Sequence, residues 1–333
     1  MNNSLVGKDI LSADQFDPET LEFILRWTEM MKEIEQSGKP CNLLKGKILT
    51  NLFYQQSSRT FGSFLGAMQR LEGGIIPIHG AAEYSSVAKG EDLYDTVATF
   101  SNYCDAIALR HPDDNSSEIA ARASRKPIIN AGSGRAEHPT QAVLDIATIQ
   151  DYVRESDRKR GDLVLTMVGD LGNGRTVHSL LNLWPAYTRN SNRVFCVAPE
   201  RMRMPIEFLR KAKQAGLDVE ETTDLSKVLP ETDILYMTRV QKEWFKDPEE
   251  YERVRLAYVL TPELMERAKP QGQMIIMHPL PRAGEIPHSI DTDPRAYYLR
   301  KQEPYGLWSR MAILGAVLGL EENQILEYTN SMR

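Results

Sequence analysis

Short apolar runs and stretches of helical periodicity take turns along almost the whole chain, and that alternation leaves few folds open. Apolar runs at 48–54, 75–78, 105–109 and 127–130 read as strands, separated by segments with hydrophobic residues three or four apart. A polar stretch from Arg154 to Gly161 interrupts the series; strand candidates then resume at 163–168, 194–198, 234–238, 257–260 and 274–277. Parallel strands need a crossover connection, usually a helix, so the pattern predicts an α/β fold with two doubly wound parallel-sheet domains. A chain of 333 residues is long enough for two. We place the domains at 1–150 and 151–305, with the polar stretch as a solvated connection and Gly306 to Leu320 as a final amphipathic helix. Leu307, Met311, Leu314 and Leu318 form the buried stripe of that helix. Asp17-Pro18 and Thr261-Pro262 each predict a helix start, with a capping side chain followed by proline at the first helical position.

The most chemically pointed segment is Phe53-Tyr54-Gln55-Gln56-Ser57-Ser58-Arg59-Thr60. It closes an apolar strand and opens a helix carried by Phe61, Phe64, Leu65, Met68 and Leu71. A strand-to-helix junction offers unpaired amides and the positive end of the helix dipole, which favour an anion. Three hydroxyls and a guanidinium add the side-chain half of a phosphate cradle. Taken alone, the segment is more often an ordinary serine cap beside a solvated arginine, because capping hydroxyls are common.

Five further segments have the same character. Strand 105–109 ends in Arg110-His111; His138-Pro139-Thr140-Gln141 opens a helical pattern; Gly169 to Gly174 is a glycine-rich turn before Arg175; Arg239-Val240-Gln241 closes another strand; and His278-Pro279-Leu280-Pro281-Arg282 follows Met274 to Met277. In this order and spacing, from about residue 10 to about residue 320, the chain resembles the aspartate/ornithine carbamoyltransferase family, and its aspartate branch in particular. The glycine turn also invites a dinucleotide reading. Its spacing is G-x-x-G-x-G, however, and no acid ends the next strand, so a nicotinamide dehydrogenase does not fit.

The resemblance implies transfer of the carbamoyl group of carbamoyl phosphate to the amino group of L-aspartate, in pyrimidine biosynthesis. It implies no cofactor and no metal. Residues 1–150 become the carbamoyl-phosphate-binding domain, 151–305 the aspartate-binding domain, and 306–333 a helix returning to the first. Ser57, Ser58, Arg59 and Thr60 then hold the phosphate with Arg110, while Thr60, Arg110 and His138 point at the carbamoyl oxygen and Gln141 accepts from its NH2. Arg175 and Arg239 clamp the two carboxylates of aspartate, a planar bidentate task suited to guanidinium, with Gln241 beside them. The Leu280-Pro281 bond is expected to be cis, with the carbonyls of Pro279 and Leu280 turned toward the reacting nitrogens. Ser85 and Lys89 match a loop that reaches into a neighbouring subunit's site, which implies a homotrimer with shared active sites, with or without a separate regulatory chain.

The chain departs from the family pattern at Gln55 (for Glu), Ser58 (for Thr), Phe61 (for Arg), Trp244 (for Arg) and Gly284 (for Asp). Gln55 and Trp244 fall where acid and base bridge the two domains in the family, so no orphan charge is left there. These changes leave open a related amino acceptor, or a catalytically weak paralogue with a binding or regulatory role. A net charge of −6 argues against a nucleic-acid partner. Cys41, Cys104 and Cys196 are widely spaced, which fits a reducing compartment without disulfides. Met1 to Asp9 lacks a signal-peptide pattern, and no apolar run approaches the ~18 residues of a membrane span. The expected location is the cytoplasm, with no membrane association.

Overall fold

The computed structural model describes residues 3–81, 90–189, 192–240 and 247–332. The chain divides into two compact units, Met1–Ala147 with Pro304–Arg333, and Thr148–Glu303.

In the first unit, strands β1 (Ile48–Phe53), β2 (Gly74–His79), β3 (Ala106–His111) and β4 (Ile128–Ser133) form a parallel sheet in the order β2-β1-β3-β4. Helices α1 (Pro18–Gln36), α2 (Ser58–Arg70), α3 (Leu93–Phe100) and α4 (Ser116–Ala123) accompany it, and α5 (Pro139–Glu155) begins in this unit and continues past Ala147 into the second. Asp17 caps α1 by accepting from Thr20 N at 2.7 Å, with Pro18 at the first position. The apolar stripe of α1 is buried through Leu21, Ile24, Leu25, Trp27 and Met31. Leu49, Leu52 and Phe53 on β1 are wholly buried, and so are Thr50 and Asn51 between them, so both faces of the strand are covered.

In the second unit, β5 (Leu165–Val168), β6 (Arg193–Val197), β7 (Asp218–Thr222), β8 (Ile234–Met237) and β9 (Ile275–Met277) make a parallel sheet in the order β7-β6-β5-β8-β9. Its helices are α6 (Arg175–Thr188), α7 (Ile206–Gln214), α8 (Leu225–Val228), α9 (Pro248–Val254) and α10 (Pro262–Met265). Thr261 caps α10 as predicted, accepting from Leu264 N at 3.3 Å. The polar stretch after α5 is anchored at Arg158, whose Nη2 lies 2.5 Å from the wholly buried Asp233.

Two strand expectations differ from the structure. Residues 257–260 form no strand: Leu260 is wholly buried and its amide donates to Glu285 O at 2.9 Å, but β9 already occupies the side of β8 away from β5. The run packs into the core without entering the ladder. Conversely, β7 is absent from the sequence reading because its Asp-Val-Glu-Glu-Thr has one apolar residue. As an edge strand it needs only Val219 inside, while its outward carboxylates Asp218 and Glu220 lie 3.7 and 2.8 Å from Arg193.

The chain then returns to the first unit through α11 (Glu303–Val317) and α12 (Glu322–Met332). The helix expected at 306–320 is neither amphipathic nor final. Tyr305, Trp308, Ser309, Arg310, Met311 and Leu314 are all buried, so α11 is enclosed on nearly every side, and α12 follows it. Tyr305 Oη donates to Glu29 at 2.9 Å, Gly7 N donates to Val317 O at 2.9 Å, and Arg26 pairs with Glu322 at 3.0 Å. Cys41, Cys104 and Cys196 are buried free thiols, and burial pushes Cys196 up to about 12. Among the described residues no helix is long and apolar enough to cross a membrane.

Candidate active site

In an open parallel sheet, ligands bind beyond the carboxyl ends of the strands, where the winding direction reverses. In the first unit that reversal lies between β1 and β3, because β2 flanks β1 on one side and β3 on the other. Phe53 and Arg110 are register partners at those strand ends, and Tyr54 N donates to Arg110 O at 2.9 Å. Ser57 to Thr60 follow β1, Arg110 ends β3, and His138 precedes α5. Topology thus gathers Ser57 to Thr60, Arg110 and His138 at the carboxyl end of the first unit's sheet.

The local geometry separates the two readings of the serine-rich junction. Ser57 occupies the N-cap position of α2, yet its hydroxyl makes no capping bond. Its backbone N–H donates instead to His79 Nε2 at 3.3 Å. Ser58 and Arg59 are exposed, whereas Thr60 is buried. Thr60 Oγ1 lies 3.4 Å from His138 Nε2, and the other ring nitrogen lies 3.5 Å from Thr140 Oγ1. Arg310 from α11 donates to Thr140 Oγ1 at 3.5 Å. Arg110 Nη1 donates to Ala131 O at 3.3 Å. Gln141 Nε2 donates to Asp145 Oδ1 at 3.0 Å. His111 stays outside this set: its Nδ1 accepts from Asp113 N at 3.1 Å, and burial holds its ring below the ordinary imidazole value.

The second unit repeats the logic. Its winding reverses between β5 and β8, whose ends pair through Val168 and Met237. Arg175 opens α6 after the turn that follows β5, and Arg239 follows β8; both are half-buried. Gly169 adopts φ +119°, and a Cβ there would meet Thr238 O at 2.3 Å. The glycine turn therefore serves close approach of two backbones, which carries the Arg239 segment against β5. Thr238 N and Oγ1 both donate to Val168 O, at 2.8 and 3.0 Å.

Beyond β9, the Leu280-Pro281 bond is cis, as expected. A closed chain of hydrogen bonds fixes this turn. Leu280 N donates to His278 Nδ1 at 2.7 Å, so Nε2 carries the ring proton and donates to Glu285 Oε1 at 2.6 Å. Ala283 N donates to Glu285 Oε2 at 2.8 Å. Burial pushes the Glu285 carboxyl upward, but the bonds from His278 and the Ala283 amide outweigh it and hold the group below its ordinary value. Pro279 and Leu280 are half-buried and Pro281 is exposed.

Ser85, Lys89, Gln241 and Trp244 lie outside the described residues. Among the departures, Phe61 packs edge-on against Phe53, with centroids 5.2 Å apart, and against His79 at 4.7 Å. Gly284 adopts φ +114°, a conformation that an aspartate there takes only with strain. The sequence reading missed His79, Asp145, Arg310 and Glu285. Each reaches the site through another side chain or an amide, and no local pattern marks such a contact.

The first unit thus assembles hydroxyls, guanidinium groups and an imidazole suited to an anion and a polarised carbonyl, and the second presents two arginines suited to carboxylates. Comparison with known proteins agrees with this division. Residues 8–151 match the model of the aspartate/ornithine carbamoyltransferase carbamoyl-P binding domain, and residues 161–317 that of the Asp/Orn binding domain. The chain is 42% identical over 317 residues to the aspartate carbamoyltransferase catalytic subunit of Methanopyrus kandleri, covering 95% of this chain and 99% of that one. It is 44% identical over 318 residues to the multifunctional protein pyr1-3 of Dictyostelium discoideum; that match covers 96% of this chain but spans only 14% of the larger protein. Aspartate transcarbamoylase from Trypanosoma cruzi, solved in complex with carbamoyl phosphate and aspartate, superposes with a TM-score of 0.88 at 39% identity, covering 95% of this chain and 98% of that one. With both family models matched in register along most of its length, the chain belongs to the aspartate/ornithine carbamoyltransferase family.

Proposed function

We propose that the chain transfers the carbamoyl group of carbamoyl phosphate to the amino group of L-aspartate, giving N-carbamoyl-L-aspartate and phosphate. The observation that carries this reading is the placing of the Thr60–His138 pair and Arg110 at one switch point and of Arg175 and Arg239 at another. Ser57, Ser58, Arg59, Thr60 and Arg110 hold the phosphate. Thr60, Arg110 and His138 stabilise charge on the carbamoyl oxygen as the amine attacks, and a neutral imidazole does this by donating one N–H. The new C–N bond forms as the C–O bond to phosphate breaks, phosphate departs with that bonding pair, and the amine sheds a proton. Arg175, Arg239 and Gln241 hold the carboxylates of aspartate, and the Pro279 and Leu280 carbonyls accept from the reacting nitrogens. Little covalent help is required, because the donor is already activated; positioning and electrostatics carry the rate.

In this reading Ser85 and Lys89 complete the site of a neighbouring chain in a cytoplasmic homotrimer serving pyrimidine biosynthesis. The test is an acceptor screen with carbamoyl phosphate, reading phosphate release and the carbamoylated product. Aspartate should be the preferred acceptor. Preference for another amino acid would favour the related-acceptor reading, to which the glycine-specific backbone at Gly284 lends support. Binding of carbamoyl phosphate without turnover on any acceptor would point to a binding paralogue.

A further inference from the structure

Asp145 is wholly buried on α5, one helical turn beyond Gln141, and its Oδ1 accepts from Gln141 Nε2 at 3.0 Å. The donor in this bond is the NH2 end of the glutamine amide, so that is the end Asp145 holds. The carbonyl oxygen Oε1 is then the end turned away from Asp145. Gln141 itself is 8% exposed, so little room remains for its side chain to rearrange. A glutamine with no such neighbour presents either end of its amide with similar ease, and the two orientations recognise opposite partners.

We propose that Asp145 is a positioning residue that sets donor specificity by locking the Gln141 amide with its oxygen toward the ligand. This rests on the carbamoyltransferase reading above. A locked acceptor favours an acyl phosphate bearing an NH2 and disfavours the methyl isostere, acetyl phosphate, whose methyl leaves that oxygen unpaired. Sites built to hydrogen-bond one group reject analogues lacking it far better than apolar pockets separate isosteres.

The experiment compares wild type with Asp145→Asn, which is nearly isosteric and lets the Gln141 amide turn over. Three quantities are measured: kcat/KM with carbamoyl phosphate, the inhibition constant of acetyl phosphate, and that of inorganic phosphate. In Asp145→Asn, kcat/KM for carbamoyl phosphate should fall about tenfold, the size of one lost hydrogen bond. Acetyl phosphate and inorganic phosphate should bind within about twofold of wild type, since neither uses the Gln141 oxygen. Asp145→Glu should restore part of the preference. In a Gln141→Ala background, Asp145→Asn should leave the ratio of the two acyl phosphates unchanged. Equal losses for all three ligands, unchanged selectivity, or a full effect in the Gln141→Ala background would each overturn the proposal. A wild-type chain that transfers no carbamoyl group overturns the underlying functional reading; an active wild type with an insensitive Asp145→Asn overturns the role of Asp145 alone.

Discussion

Replacing Glu285 tests whether the turn after β9 is held as the geometry indicates. Its carboxylate accepts two hydrogen bonds, from His278 Nε2 at 2.6 Å and from Ala283 N at 2.8 Å, and the residue is 2% exposed. The His278 ring is unable to escape by shifting its proton, because Nδ1 already accepts from Leu280 N. Glu285→Gln supplies one oxygen for two donors, so one buried donor goes unsatisfied, at about 1–3 kcal/mol. Glu285→Ala strands both, and about 2–6 kcal/mol follows. Urea denaturation followed by tryptophan fluorescence reads these losses, since Trp184 is buried in the same unit. The pH dependence adds a second check. The folded carboxyl lies below its ordinary 4.5, so its contribution is present above that value and is lost as pH falls through the folded value. The gap between wild type and Glu285→Gln should therefore be full near pH 7 and shrink as the pH drops below the ordinary carboxylate value. A Glu285→Gln chain as stable as wild type at neutral pH, or a gap that widens in acid, would refute the hydrogen-bond account.

Arg110→Ala should lower turnover by about 10²–10³, the usual cost of one oxyanion donor, in a phosphate-release assay; near-normal turnover would remove Arg110 from the site. Gly169→Ala forces a Cβ to 2.3 Å from Thr238 O at φ +119°, so melting temperature should fall with at least ~1–3 kcal/mol of strain. The aspartate KM of Gly169→Ala should rise more than that of carbamoyl phosphate, because the displaced backbone carries Arg239. Mixing inactive Arg59→Ala and Lys89→Ala chains should restore activity through hybrid trimers, and mixtures as dead as their parents would exclude a shared site. With Gln55 and Trp244 in place of a charged pair, the aspartate KM should be high, and Gln55→Glu alone should not repair it; a low KM in the unaltered chain contradicts this.

The layer architecture was legible in the order of residues alone. Strands such as β1 and β5 are mostly apolar on both faces, because both faces of a parallel strand are buried, so their signal is dense even with Thr50, Asn51 and Thr166 among them. Chemistry on strand ends was legible for the same local reason: Ser57 to Thr60, Arg110, Arg175 and Arg239 each adjoin an apolar run that marks where the strand stops. Local pattern failed wherever a neighbour far along the chain decided the outcome. The run 257–260 is apolar enough for a strand but finds the edge of β8 taken, while β7 is polar enough for a loop but finds β6 open. The burial of α11 on nearly all sides follows from its enclosure by the first unit, which a single helical stripe does not foretell. Most of the residues that orient the site were decided the same way. Arg310 meets Thr140 across 170 positions, and His79 meets Ser57 across 22. Even the near pairs, Gln141 with Asp145 and His278 with Glu285, acquire meaning only through burial. A hydrogen bond that matters little in water fixes an amide or a tautomer once solvent is excluded, and that exclusion is a property of the folded chain.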